Sequence, residues 1–281
     1  MPELPEVETV CRGIAPHLAG ARILRFETRR PDLRTPLPAR LAERVSGRRV
    51  LGVRRRAKYI LVDLETTGAA EAETLVVHLG MSGRLVLRQP DGSAPGRHEH
   101  IAFATDRGTE FRFSDPRRFG MVDLLATARL GADPRFAAIG PEPLSDAFTA
   151  ATLAAAIAGS RTTIKAALLD QTRVAGIGNI YACEALYLAG ISPRRRAGTL
   201  GPERLERLVA AVKDVLTRAI AAGGSSARDY VQSSGEAGWF QHAWAVYDRA
   251  GQPCPGCDCG GAVRRIVQSG RSSFYCARRQ R

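Results

Sequence analysis

The apolar residues of this chain change their period once, and that change limits what the chain can fold into. Up to about residue 128, the segments RILRFETR, RRVLGVRRRAKYILVDL, TLVVHLGMSGRLVLR, HIAFATD, EFRFSD and GMVDLLA alternate or run apolar and are broken by Gly, Pro and Asp. Such patterns belong to strands buried on one or both faces. From about Pro141, the segments PLSDAFTAATLAAAIAG, TIKAALLDQ, NIYACEALYLAG and PERLERLVAAVKDVLTRAIAAG carry helical spacing, with Ser, Asn or Pro near their starts. At 281 residues the chain exceeds one ordinary domain. The expectation is a multi-domain α+β protein: a β-sandwich with an N-terminal helix over residues 1–135, a helical domain over 136–240, and a cysteine-bearing β-hairpin over 241–281. No period of repeat length is present.

The chain opens MPELPEVETV. Proline near the first helical position and glutamate in the first turn both suit a helix N-terminus, where the macrodipole favours negative charge. Val7, Val10, Cys11 and Ile14 supply an apolar stripe at helical spacing. A second reading stands beside this one. Removal of Met1 exposes the secondary amine of Pro2 next to Glu3, which pairs a nucleophile with a proton shuttle.

A formal net charge of +13 calls for an anionic partner. Nucleic acid fits best, because no basic amphipathic helix or apolar span points to a membrane. Of the 41 basic residues only three are lysines, Lys58, Lys165 and Lys213. Arginine serves phosphate contact as well and cannot deprotonate near neutrality, so a retained lysine points to a need for its shape or its pKa.

Six cysteines occur, and Cys254, Cys257, Cys259 and Cys276 cluster near the C-terminus in CPGCDCGGAVRRIVQSGRSSFYC. Four thiolates on a strand, tight turn and strand suit a tetrahedral structural Zn²⁺ that holds a hairpin too small to fold alone, with Arg271 at the tip. Cys11 and Cys183 lie in helical segments among apolar residues and read as buried hydrophobes. Free thiols and the absence of a signal segment imply a reducing cytoplasm.

Three further stretches carry chemistry. VAGIGNIYACEAL places Asn179 at the expected N-cap of a helix, whose free N–H groups suit a phosphate or simply a cap. FSDPRRFG sets Arg117 beside Phe119 at a turn, and HLGMSG holds Met81; each side chain is either core or a wedge that fills the hole left by an extruded base. GGSSARDYVQSSGEAGWF reads by composition as a linker or a binding loop.

PELPEVET, RRAKYI, HLGMSG, SDPRRFG, GIGNIYACEAL and GRSSFYC resemble, in order and over essentially the whole chain, the bacterial formamidopyrimidine-DNA glycosylases. Leu4 favours these over the sister endonuclease VIII type, which usually carries Gly there. The resemblance implies a β-sandwich, a helix-two-turn-helix module and a zinc-finger hairpin, with double-stranded damaged DNA in the cleft. It implies a monomeric, bacterial, nucleoid-associated repair enzyme that excises 8-oxoguanine and formamidopyrimidines and cleaves the resulting abasic site. Pro2 becomes the nucleophile at C1′, Glu3 the acid/base, Lys58 a proton donor and phosphate contact, and Arg271 a phosphate contact that assists elimination. His98, Arg117, Arg161 and Asn179 match DNA-contacting positions, and Lys165 joins them as a lysine retained in a lysine-poor chain. Met81, Arg117 and Phe119 match void-filling residues. The GGSSARDYVQSSG loop matches the segment over the flipped base.

The chain departs from the family at the metal. Arg279 stands where the fourth cysteine is expected, so the ligand set expected here is Cys254, Cys257, Cys259 and Cys276, against a metal-free finger. Two other functions compete: a non-catalytic damage binder, and a glycosylase retuned to oxidised pyrimidines.

Overall fold

The computed structural model describes residues 1–66, 71–90, 92–226, 230–258 and 260–281. The chain divides into two compact units, Met1–Ala137 with Ala222–Trp239, and Ala138–Ala221 with Phe240–Arg281.

The first unit begins with α1 (Leu4–Leu18), β1 (Ile23–Thr28), a short α2 (Leu41–Val45), β2 (Val50–Arg56), β3 (Tyr59–Leu64) and β4 (Glu73–His78). It continues with β5 (Arg84–Arg88), β6 (Glu99–Thr105), β7 (Glu110–Ser114), β8 (Met121–Ala126) and a single turn, α3 (Pro134–Ala137). Two antiparallel sheets result, in the orders β1-β6-β7-β5 and β2-β3-β4-β8. Their inner faces share one core. Alternation along β3 sends Ile60, Val62 and Leu64 inward, where they join Leu75 and Val77 of β4 and Phe103, Phe111 and Phe113 of the other sheet. Phe26, Phe103 and Phe111 stack in series, with centroids 5.6 and 4.9 Å apart. The apolar stripe of α1 closes this core, and Val7, Val10, Cys11 and Ile14 are all buried. Burial pushes the Cys11 thiol up to about 12, in keeping with a residue used as a hydrophobe.

Residues 222–239 are more than a linker. Tyr230 is buried in the first unit's core, and Leu87 N–H donates to Ser233 O at 2.8 Å. Gly13 of α1 lies so close that a Cβ there would stand 2.0 Å from Ser233 Oγ. Only glycine permits that approach. The segment the sequence reading grouped with the helices therefore packs with the sandwich.

The second unit contains α4 (Ala150–Ile157), α5 (Ile164–Leu169), α6 (Asn179–Leu188), α7 (Pro202–Ala221) and the hairpin β9 (Arg264–Gln268) and β10 (Arg271–Tyr275). Thr149 and Thr163 cap α4 and α5, their side chains accepting from Thr152 N and Ala166 N. Helix α6 is buried on most faces, packed by α5, α7 and β10, which explains why its sequence shows no polar stripe. Helix α7 is amphipathic and buries Leu205, Leu208, Val212, Val215 and Leu216. A smaller cluster unites Cys183 and Tyr187 of α6 with Val246, Val263, Phe274 and Cys276 of the tail. The buried Glu184 carboxylate fixes the tail's approach by accepting from the N–H groups of Ala245, Val246 and Tyr247 at 2.8–2.9 Å. Burial raises its pKa although these three donors oppose the shift. Among the described residues no helix is long and apolar enough to cross a membrane.

Candidate active site and nucleic-acid interface

Glu3 is the N-cap of α1, and its N–H donates to Glu6 Oε2 at 2.8 Å, closing the reciprocal arrangement that acidic first turns favour. The same Glu6 carboxylate accepts from Ser225 N–H through Oε1 at 2.7 Å. Pro2, Glu3 and Glu6 are buried, while Met1 is 52% exposed. The terminus is thus fixed from Pro2 onward, with Met1 outside it. The sequence places Glu6 in the acidic first turn, and its i+3 spacing from Glu3 is the signal for the cap it makes.

Lys58 lies in the two-residue loop between β2 and β3, where Arg56 pairs with Tyr59. Ala57 takes φ +51°, the left-handed conformation such tight hairpins need. Arg55 holds this loop by donating to Ala57 O at 2.9 Å and to Glu8 Oε2 of α1 at 2.8 Å. Lys58 is only 9% exposed. Next to it on the sheet, His78 is driven down to about 4 by burial and then by the charges of Lys58 and Arg34, so it is neutral at pH 7. Its Nδ1 accepts from Gly80 N–H at 3.0 Å, which places the neighbouring turn.

That turn holds Met81, 37% exposed, and it stacks on the turn holding Phe119, 44% exposed. Gly80 has φ +62°, and a Cβ there would stand 2.3 Å from the Phe119 carbonyl carbon. The Arg117 guanidinium sits 4.8 Å over the Phe119 ring. Both apolar side chains are therefore outside the core, so the wedge reading fits their placement. One buried group assembles them: Asp115 accepts from Ser82 Oγ at 2.6 Å and from Gly120 N–H at 2.7 Å. His100 Nε2 bonds Asp115 O, and Asp115 N–H donates to the carbonyl of the exposed His98. Asp115 and Ser82 were overlooked, because a buried carboxylate and a surface one look alike in sequence.

In the second unit, Arg161 is exposed on the loop ahead of α5, and Arg271 is exposed at the start of β10. Ser269 and Gly270, with φ +48° and +71°, form the tight turn that presents Arg271. Asn179 is the first residue of α6, and the N-cap is Gly178; the expectation that Asn179 caps the helix is corrected. Its Nδ2 instead donates to Ser272 O at 3.0 Å. Lys165, expected among the DNA contacts, lies inside the second unit. Lys165 is 1% exposed, and its ammonium donates to Ser272 O at 2.8 Å and Ser273 Oγ at 2.7 Å, so it ties α5 to the hairpin.

The thiols of Cys254, Cys257 and Cys276 lie within 4.8 Å of one another. Cys257 Sγ stands 3.3 Å from Cys254 Sγ and 3.7 Å from Cys276 Sγ. A tetrahedral zinc with bonds of about 2.3 Å separates its sulfurs by about 3.8 Å, so these residues fit such an ion. Burial opposes a Cys254 thiolate, but hydrogen bonds led by that from Tyr187 Oη outweigh it and bring the thiol down to about 7. Cys259 lies outside the described residues. Arg279 supplies no ligand: it donates to Gly256 O at 2.7 Å, and its guanidinium lies 4.9 Å over the Tyr187 ring.

Comparison with known proteins gives these features a context. Residues 1–122 match the family model described as the formamidopyrimidine-DNA glycosylase N-terminal domain, and residues 139–231 match its H2TH domain. A formamidopyrimidine-DNA glycosylase of Rhodospirillum centenum is 56% identical, with 100% of each chain covered. The MutM (Fpg) crystal structure from Thermus thermophilus superposes with a TM-score of 0.85 at 39% identity, covering 99% of this chain and 98% of that one. A Lactococcus lactis Fpg mutant in complex with a Fapy-dG containing DNA superposes with a TM-score of 0.88 at 31% identity, covering 99% of both chains. On two matching domains and a full-length relative, the chain belongs to the formamidopyrimidine-DNA glycosylase family.

Proposed function

We propose that this protein is a bifunctional base-excision enzyme that removes oxidised purines, 8-oxoguanine and formamidopyrimidines, from duplex DNA and then cleaves the abasic site. The observation that carries this reading is the buried Pro2–Glu3 terminus of α1, in a chain similar over its full length to a formamidopyrimidine-DNA glycosylase. The Lactococcus lactis neighbour, which binds Fapy-dG containing DNA, supports the substrate class.

Once Met1 is removed, Pro2 is a secondary amine with a reference pKa near 7.7–8.0, partly neutral at physiological pH. It attacks C1′ of the damaged nucleotide and the base leaves with its bonding pair; the nitrogen then gives up its proton, and its regained lone pair expels O4′, which takes up a proton as the C1′–O4′ bond breaks and the iminium forms on the opened sugar. β- and δ-elimination then break the strand on both sides. Glu3 moves protons on the sugar, Lys58 donates a proton and contacts phosphate, and Arg271 assists the later elimination. Met81, Arg117 and Phe119 fill the space vacated by the base, while His98, Arg161 and Asn179 contact the backbone. Cys254, Cys257 and Cys276, with Cys259 as fourth, would hold one structural zinc, which when bound cross-links the finger and takes no part in the reaction. The functional division follows residues 1–135, 136–240 and 241–281, with 222–239 of the middle part packed on the first, and the enzyme acts as a monomer.

Borohydride trapping on an 8-oxoguanine:cytosine duplex, followed by mass spectrometry of the cross-linked peptide, tests the reading. An adduct on Pro2 is expected. Specific binding without any adduct would convert the protein into a non-catalytic damage binder, and preferential excision of thymine glycol would move it to oxidised pyrimidines.

A further inference from the structure

The loop between α6 and α7 carries three consecutive arginines in ISPRRRAGT, and with Ser192 and Thr199 they line a shallow, open surface pocket in which Arg194 and Arg196 are exposed and Arg195 is half-buried. No acidic residue lines it. Among the described residues none of Arg194, Arg195 and Arg196 enters an ion pair, whereas Arg112 and Arg135 each pair with two carboxylates. Arg195 Nε is buried and has no acceptor. Three like charges held in one concavity repel one another unless an anion joins them.

The pocket's walls are fixed. Ile164 N–H donates to Arg195 O at 2.7 Å, Ala197 N–H to Thr162 O at 2.9 Å, and Gly198 N–H to Ser160 O at 3.0 Å. A Cβ on Gly198 would stand 2.9 Å from Ser160 N and O, so the two loops touch backbone to backbone. Arg161 lies within the second of these loops. On the other side, Gln268 of β9 donates to Pro193 O at 3.1 Å. The arginine loop is thus laced both to the loop of Arg161 and to the hairpin that presents Arg271.

We infer that this pocket is a further phosphodiester-binding site, taking backbone phosphates of the same duplex beyond those reached by Arg161 and Arg271. The guanidinium fork matches a tetrahedral oxyanion, and adjacent arginines can each take one phosphate oxygen pair. Such contacts read no sequence; they extend the footprint and strengthen the salt dependence. The inference rests on the DNA-processing reading above.

Its test uses the double variant R194Q/R196Q, which spares Arg195 and the backbone contacts. Dissociation constants are measured over a salt series on a lesion duplex and on an undamaged duplex of the same length, with a melting curve to establish folding. The slope of log K against log salt is expected to fall by about 1.8, about 0.9 for each phosphate released, and equally on both duplexes. R194K/R196K keeps the charge and is expected to keep the slope. An unchanged slope in a folded R194Q/R196Q protein overturns the inference, as does a loss confined to lesion DNA. Inorganic pyrophosphate raising the melting temperature of the parent but not of the variant, with equal DNA slopes, would reassign the pocket to a free phosphate and also overturn it. If the parent shows no preference for the lesion duplex, the proposed enzyme function fails, and the undamaged slope still judges the pocket.

Discussion

Asp115 accepts from Ser82 and Gly120, so the turns that hold Met81 and Phe119 share one buried anchor. The two apolar side chains stand outward because the backbone beneath them is held, not because they lack a core to enter. Phe119→Ala therefore separates stability from recognition. Its removal should leave folding stability within about 0.5 kcal/mol, as exposed substitutions do. Affinity for a lesion duplex should fall roughly tenfold, since stacking an aromatic on a base is worth about 1–3 kcal/mol. Melting curves and fluorescence anisotropy check the two parts, and an equal loss on undamaged DNA would count against the wedge. Such residues were legible as motifs, SDPRRFG and HLGMSG. The buried partner that aims them was not, because its bond to Ser82 joins positions 33 residues apart.

At the scale of elements, the change from period two to helical spacing announced both units; the five helices read from sequence form, while the short α2 and α3 carry too few residues to show a period. What periodicity could not announce is how elements are tied. Lys165 stands out as a rare lysine, and its surroundings give it a specific use. The use is structural: its ammonium and the Asn179 amide converge on Ser272 O, beside Arg271. Lys165→Met keeps the stem and removes the donor. It should cost about 1–3 kcal/mol of stability in urea unfolding. Hydrogen exchange should rise in β9 and β10, and the salt slope of DNA binding should not change. A slope lowered by about 0.9 would restore the phosphate role.

At the scale of the whole molecule, the metal site is the point where family expectation and chain diverge. Arg279 occupies the place of a ligand but braces Gly256 against Tyr187. Purified protein is expected to contain one zinc per chain. Chelation should lower the melting of the second unit in calorimetry and leave the first unit's transition in place, with DNA affinity lost before the first unit unfolds. Because the Cys254 thiol is lowered to about 7, its thiolate is present above that pH and protonates as pH falls through it. Zinc affinity of the metal-free protein should therefore weaken on acidification through about pH 7. Metal analysis showing far less than one zinc would remove the site.

The return of residues 222–239 to the first unit also sets an order of events during synthesis. Tyr230 completes a core whose other members were made more than a hundred residues earlier, and Ser233 meets Leu87 and Gly13 beside it. The half that holds the N-terminal amine thus cannot finish assembling until the helical half has left the ribosome. A truncated product ending between Ala138 and Ala221 would expose its terminus without the segment that Glu6 grips. Completion of the N-terminal core is in this way deferred until most of the polypeptide exists.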